Sequence, residues 1–488
     1  MTKTNRNRIA YLAAIAAVAG TQFNGTLAHA ALTDEQEKAL IEKVNELEQQ
    51  VKILQRQRDV DQENAGEKAK AQPTVSLGMN GLNVRTTDSN FVMYIHGFVQ
   101  ADARFYEGQK GSGTSDTFLF RRVRPTFEGT LWQDIGYNLK LELGNKSVSG
   151  TSANNQGILD DCYMNARYLK EAQIQVGKFK PPVGLERLIS NSEMPFIENG
   201  LATELVPNKD LGVAIHNDYF NERLGYSVGV WTGTQDNVNQ DSDTDSDKDY
   251  EGRLFLQPFL NHKDSLVQHL GFGVGGSIGK HEAGTTPAYV TPGQQTFFSY
   301  SANAALAGLT YRADPQLYWY YGPFCLTTEY VLSSVKLRTL SPVAGVPSST
   351  RLNNTAWQVT ASYFLTGEEN TIKFNSLAKT VPSKRFGLTE GSGWGALELV
   401  SRLERLSLDN NVFSYPIQDA KKNLSYAAAN SAQEATGWLV GVNWYLNSNL
   451  KVNLDYEQTT FTRGYTAAAG QTAHQPEHVI LSQVQFQF

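Results

Sequence analysis

The sequence predicts an all-β chain: a 16-stranded antiparallel transmembrane β-barrel, preceded by a short α-helical coiled-coil segment. Three observations carry this. The last strand, His478 to Phe488, puts Ile480, Val484, Phe486 and Phe488 on one face and Gln483, Gln485 and Gln487 on the other. Two internal stretches alternate as strictly. Tyr137, Leu139, Leu141 and Leu143 interleave with Asn138, Lys140 and Glu142, and Leu450, Val452, Leu454 and Tyr456 with Lys451, Asn453, Asp455 and Glu457. Charges on every second residue of an apolar strand suit a wall with lipid outside and water inside. Third, an export signal is followed by no stretch approaching the roughly 20 apolar residues of a spanning helix. The mean hydropathy of −0.38 fits a barrel with a polar lumen.

The elements follow in order. Residues 1–30 read as a signal peptide: Lys3, Arg6 and Arg8 precede the apolar run Ile9 to Ala19, and Ala28-His29-Ala30 fits small-x-small cleavage. Residues 31–72 are charged and free of proline, and Leu40, Val44, Leu47, Val51 and Leu54 follow the a/d rhythm of a coiled coil. About two heptads are marginal alone, so the pattern predicts a periplasmic coiled coil held by an oligomer, with a flexible charged spacer as the alternative. Residues 73–90, with Pro73, Gly78 and Gly81, read as a linker.

Residues 91–488 form the barrel, with strands expected to begin near Phe91, Asp116, Ile135, Gly157, Glu171, Lys209, Arg223, Asp249, Ser265, Phe298, Phe324, Leu352, Gly393, Ala435, Leu450 and Glu477. Tight and long connections alternate, except at 366–392, a long connection in a short-turn position. The even strand count puts both ends on the short-turn, periplasmic side. Sixteen strands leave an aqueous bore. Trp132, Tyr168, Tyr219, Trp231, Trp444 and Tyr445 lie near strand ends, where aromatic girdles belong.

The precursor's charge of −6 becomes −9 without the signal peptide's +3, and Gln235 to Asp249 alone carries −5. The remainder says little about the lumen; local placement matters more. Cys162 and Cys325 are too few for a disulfide framework, and one bridge or two free thiols both remain open.

A series of motifs carries a family resemblance. Phe120-Arg-Arg-Val-Arg-Pro-Thr-Phe-Glu-Gly-Thr-Leu131 leads into Tyr137 to Glu142, then Leu159 to Arg167, then Val176-Gly-Lys-Phe-Lys-Pro-Pro-Val-Gly-Leu-Glu186. Later stretches include Ala361 to Glu368, Trp394 to Glu398 and Gly441 to Asn447. Their order and spacing over 91–488 resemble the phosphate-selective porin O and P family of Gram-negative outer membranes. The resemblance implies a sixteen-stranded homotrimeric porin, a third long loop folded into the bore, and anion transport past arginine and lysine.

The candidate pore-lining, anion-binding residues are Arg121, Arg122, Arg124, Lys140, Lys178, Lys180 and Arg187. Arg122 and Arg124 share phase with Thr126, Glu128 and Thr130 and should point inward. Arg121 is out of phase, so it must snorkel, sit on a bulge or lie near the rim. Guanidinium groups bind oxyanions bidentately and can still release them. The alternative is that they pair with Glu128, Glu142 or loop carboxylates and organise the wall. Lys178 and Lys180 precede Pro181-Pro182 and the loop 181–208. Its Leu185, Leu188, Ile189, Met194, Phe196, Ile197 and Leu201 suit packing inside the barrel, as a pore-constricting loop.

The aspartates at 241–249 have calcium-loop spacing but lack the glycine and glutamate of an EF-hand, so a solvated outer loop is favoured. Gly271 to Gly276 fits G-x-G-x-x-G and Gly275 to Gly279 fits G-x-S-x-G, yet neither opens a helix, which their chemistry requires. His474 and His478 are four apart but not on a helix, and suggest no metal site. No cofactor, metal, nucleic-acid partner or enzymatic activity is expected. The expected partners are small anions such as phosphate, outer-membrane lipid and further copies of the chain. A general or weakly cation-selective pore is the first alternative, and a structural or adhesive barrel with a plugged lumen the second.

Overall fold

The computed structural model describes residues 33–107, 115–144, 159–243, 246–262, 265–282, 286–340, 349–369, 372–373, 376–413, 426–428, 431–464 and 475–488. The chain divides into two units, Met1–Gln72 and Pro73–Phe488. The first contains helix α1 (Asp34–Ala71), whose first turn carries Asp34, Glu35 and Glu37, where the positive end of the helix dipole favours acids.

The second unit opens with a hairpin, β1 (Thr74–Gly78) and β2 (Gly81–Arg85), so the expected linker is partly structured. Val75, Leu77, Leu82 and Val84 supply the alternation, and Gly81 takes the left-handed φ of +85° at the turn. Residues Leu82 to Arg85 then pair with the start of β3 (Phe91–Tyr106).

The barrel continues through β4 (Thr117–Leu131), β5 (Ile135–Leu141), β6 (Leu159–Ala166), β7 (Gln173–Phe179), β8 (Asp210–Tyr219), β9 (Leu224–Trp231), β10 (Asp249–Leu256) and β11 (Leu270–Glu282). Beyond a small hairpin, β12 (Ala288–Val290) and β13 (Thr296–Ser299), come β14 (Ala304–Tyr321), β15 (Phe324–Thr339) and β16 (Ser349–Phe364). A second small hairpin, β17 (Ile372–Lys373) and β18 (Ser376–Leu377), interrupts the long connection 366–392. The ring ends with β19 (Ala396–Ser407), β20 (Ala432–Asn447), β21 (Leu450–Gly464) and β22 (Glu477–Gln487). β22 pairs antiparallel with β3, from Val479 opposite Tyr106 to Gln487 opposite Phe98, and closes the barrel. Sixteen of the strands in the described residues form this ring, as the alternation predicts.

Two of the differences from the sequence reading have one cause, the filling of the bore. β14 begins at Ala304 and not near Phe298, because Phe297, Phe298 and Tyr300 join Tyr289 in a buried cluster with Leu201, Leu205 and Val206 of the loop 181–208. β11 begins at Leu270 and not near Ser265 because 265–270 turns back on itself, with the Gln268 and Leu270 amides donating to the Ser265 and Val267 carbonyls. Trp231 and Tyr445 are not girdle residues: Trp231 packs on Phe179 and Ala214, and the Tyr445 hydroxyl donates to Glu398. Trp132 and Tyr168 are exposed, as girdle residues are. Cys162 and Cys325 are both free thiols. The two glycine motifs lie within β11, a strand and not a strand-to-helix junction.

Candidate functional site

Irregular backbone at membrane depth persists only where protein groups satisfy its N–H and C=O. The loop 181–208 meets that condition by binding to the inner wall. Its amide donors reach wall carboxylates: Gly184 to Asp314 (2.7 Å), Leu185 to Glu329 (2.7 Å), Ile197 to Asp455 (2.9 Å) and Leu201 to Glu404 (3.0 Å). Its carbonyls accept from wall amides and cations, including Asn191 from Gln100 (3.0 Å), Pro195 from Asn443 (2.8 Å) and Met194 from Lys451 (3.2 Å). Six of its seven apolar stations are buried; Leu188 is half-buried. The tie across the bore is strongest at Glu186, which pairs with Arg402 and accepts from the Gly200 amide (2.8 Å).

The arc of wall from β3 to β7 carries most of the candidate basic residues, while Arg253, Arg312, Arg402 and Lys451 are buried on the rest of the wall. Arg122 pairs across the ladder with Gln100, and Phe120 with Ala101, so Arg121 is the extra residue of a β-bulge. The bulge resolves the phase conflict: Arg121 and Arg122 both turn inward, while Phe118 and Phe120 face out. Both guanidinium groups converge on Glu198 of the loop, Arg121 through Nε and Nη2 and Arg122 through Nη2 at 3.2 Å. A third, Arg104 on β3, donates to the same carboxylate at 2.6 Å and to Asp102 at 2.7 Å. Burial raises Glu198, but the three guanidinium groups, Arg121 foremost, outweigh it and hold the carboxyl well below the usual range.

The remaining candidates extend this arc. Arg124 pairs with Glu142 (2.6 Å), lies 3.5 Å from Asp160 and donates to the Asn191 side chain (2.7 Å). Lys140 pairs with Asp161 (2.9 Å), and Lys209 bridges Asp160 (2.6 Å) and Asp161 (2.7 Å). Lys178 pairs with Asp241 and donates to the Leu159 carbonyl at 2.8 Å. Lys180 differs: its ammonium donates to the Ile189 carbonyl at 2.8 Å, and among the described residues it has no carboxylate partner. Burial, and then the nearby Lys209, push Lys180 well below the usual lysine value. Arg187 belongs to the loop's own packing, bound to the Thr203 carbonyl and Asn237, both at 2.7 Å.

Seven cations, Lys209 among them, thus share six ion-paired carboxylates here, and Lys180 stands beside them. Glu128, one expected partner of the arginines, instead pairs with His96 (3.2 Å). Arg104 was overlooked in the sequence although Gln100, Asp102 and Arg104 alternate on one face of β3. Lys209, just ahead of β8, carries no such signal.

Within the run 241–249, Asp241 and Asp243 are exposed, as a solvated outer loop would be, whereas Asp249 opens β10 and is buried. Asp236 and Asp249 are buried and hold Arg312, at 2.7 and 3.5 Å. Asp245 and His474 lie outside the described residues. Among the described residues, no group of three or more His, Cys, Asp or Glu is arranged to hold a metal ion.

Comparison with known proteins bears on this arrangement. Porin O of Pseudomonas aeruginosa is 24% identical over 404 residues, spanning 77% of this chain and 84% of that protein. Among solved structures, outer-membrane expressed OmpT of Vibrio cholerae aligns with a TM-score of 0.47 at 11% identity, covering 82% of this chain and 98% of the other. An anion-selective porin from Comamonas acidovorans aligns with a TM-score of 0.44 at 12% identity, covering 81% and 99%. The family model described as phosphate-selective porin O and P matches residues 93–488, nearly the whole barrel. The chain therefore belongs to the phosphate-selective porin O and P family, and its barrel is a channel of the Gram-negative outer membrane.

Proposed function

We propose that the channel passes small anions passively, with phosphate and related oxyanions preferred. One observation carries this reading: three guanidinium groups, of Arg104, Arg121 and Arg122, gather at one place with only Glu198 and Asp102 as their carboxylate partners among the described residues. The carboxyl groups Asp314, Glu329, Asp455 and Glu404 of the remaining wall are occupied in holding the loop by its amides. Clustered guanidinium groups offer planar, charge-assisted donors to an oxyanion, and the competing Glu198 keeps the site weak enough to release it. The assembly is read as a homotrimer in outer-membrane lipid.

A weakly cation-selective pore is the second reading. It is favoured by Asp249 and Glu251, two buried carboxyl groups on the same face of β10. The deciding measurement is the reversal potential of the purified protein in a planar bilayer under a potassium chloride gradient, repeated with phosphate. An anion-selective potential with chloride current blocked by phosphate supports the first reading. A cation-selective or near-zero potential, insensitive to phosphate, overturns it, and absence of conductance would mark a structural barrel.

A further inference from the structure

Helix α1 carries an apolar seam that is exposed among the described residues. Leu40, Val44, Leu47, Val51 and Leu54 are 49–65% exposed. Thirty-eight residues of helix carrying such a stripe gain little from helix propensity and most from burying the stripe. We propose that α1 packs against α1 of neighbouring copies of this chain as a parallel, in-register coiled coil. The inference rests on the barrels assembling, not on which ion the bore carries.

The register follows from the spacing. Val44 and Val51 take the a positions and Leu40, Leu47 and Leu54 the d positions, the β-branched and γ-branched placement that suits parallel coils. The flanking positions choose the partner and its direction. Lys43 falls at g and Glu48 at the following e; Gln50 and Gln55 repeat that relation one heptad later. In a parallel pair, g of one helix faces the following e of its neighbour, so Lys43 meets Glu48 and Gln50 meets Gln55. In an antiparallel pair, g faces g and e faces e, and no opposite charges meet. A second copy of this helix therefore complements α1 in both apolar seam and charge.

The seam is short. Arg58 and Asp61 occupy the next a and d positions, so the coil ends near Leu54 and the last turns of α1 continue as a charged single helix. Two heptads are too few to associate alone, but assembled barrels would hold the helices at an effective concentration in the millimolar range.

Cysteine cross-linking in the full-length oligomer tests the proposal. In a Cys162→Ser, Cys325→Ser background, single Val44→Cys or Leu47→Cys variants on mild oxidation should give disulfide-linked dimers. Gln49→Cys, at the outward f position, should give none above background. Lys43→Glu should lower the Leu47→Cys cross-link, and adding Glu48→Lys should restore it. Equal yields at seam and f positions, or no cross-link in barrels that run as intact oligomers, overturns the self-packed coil. Failure of the charge swap to restore the cross-link overturns the parallel register. Ion selectivity, measured separately on the same variants, should be unchanged throughout.

Discussion

Replacing Glu198 with glutamine asks whether the arginines serve a permeating ion or only the loop. Glu198 is the shared acceptor for Arg104, Arg121 and Arg122, and it occupies the place an oxyanion would take among them. Its charge therefore opposes entry of the ion its neighbours attract. A unit charge about 4 Å from a monoanion costs about 1 kcal/mol in bulk water and about 4 kcal/mol at the effective dielectric of a partly buried site. Glu198, Arg104 and Arg122 are buried, so the bulk-water figure is a lower bound, and roughly 1 kcal/mol corresponds to about five-fold in binding. Glutamine keeps the side chain's size and one acceptor oxygen, and the loop retains the Ile197 amide on Asp455 and the Glu198 carbonyl on Arg402. Glu198→Gln should thus tighten phosphate block of chloride current in planar bilayers at least about five-fold and increase anion selectivity. Unchanged or weaker block in a barrel that still resists unfolding in detergent would refute the reasoning, leaving the guanidinium groups as loop anchors.

Arg122→Ala combined with Arg124→Ala should move the reversal potential toward zero and abolish phosphate block, whereas a retained anion preference would shift selectivity to Lys180 and its neighbours. Gly200→Ala places a Cβ 2.2 Å from the Gln358 amide oxygen and 2.5 Å from Glu404, in a tightly packed turn of the loop. Overpacking of that kind costs about 1–3 kcal/mol, so the variant should show noisier or larger single-channel conductance and faster proteolysis within 181–208. The pH dependence of loop docking should come from Glu204, which burial raises to about 7 despite hydrogen bonds from the Val290 amide and Asn237. A raised carboxyl favours the docked state fully below its ordinary 4.5, and that contribution is lost as pH climbs through about 7, at most about 3 kcal/mol. Hydrogen exchange of the loop amides should therefore be slower at pH 5 than at pH 8 after correction for intrinsic rates, and Glu204→Gln should reduce the difference.

The barrel was legible because strand alternation is local. A period of two, repeated between turns, places Arg122, Arg124 and Lys140 on the inner face without knowledge of any distant residue. The apolar stations of 181–208 likewise marked a loop that had to be buried. The side chains facing the loop were not legible, because partners such as Ile197 and Asp455, or Glu186 and Arg402, lie 258 and 216 residues apart. Trp231 and Tyr445 were misplaced for the same reason: proximity to a strand end suggested a girdle, and only the packed bore shows that they face inward.

By itself, then, the sequence determined the strand count, the two faces of the wall and the basic character of β4. Tertiary structure decided what those charges do. One extra residue in the ladder between β3 and β4 turns Arg121 inward, and a carboxylate 77 residues later in the chain collects its guanidinium with Arg122 and Arg104. Register and charge pairing depend on which segments closure of the barrel brings together, and no period in the sequence encodes that.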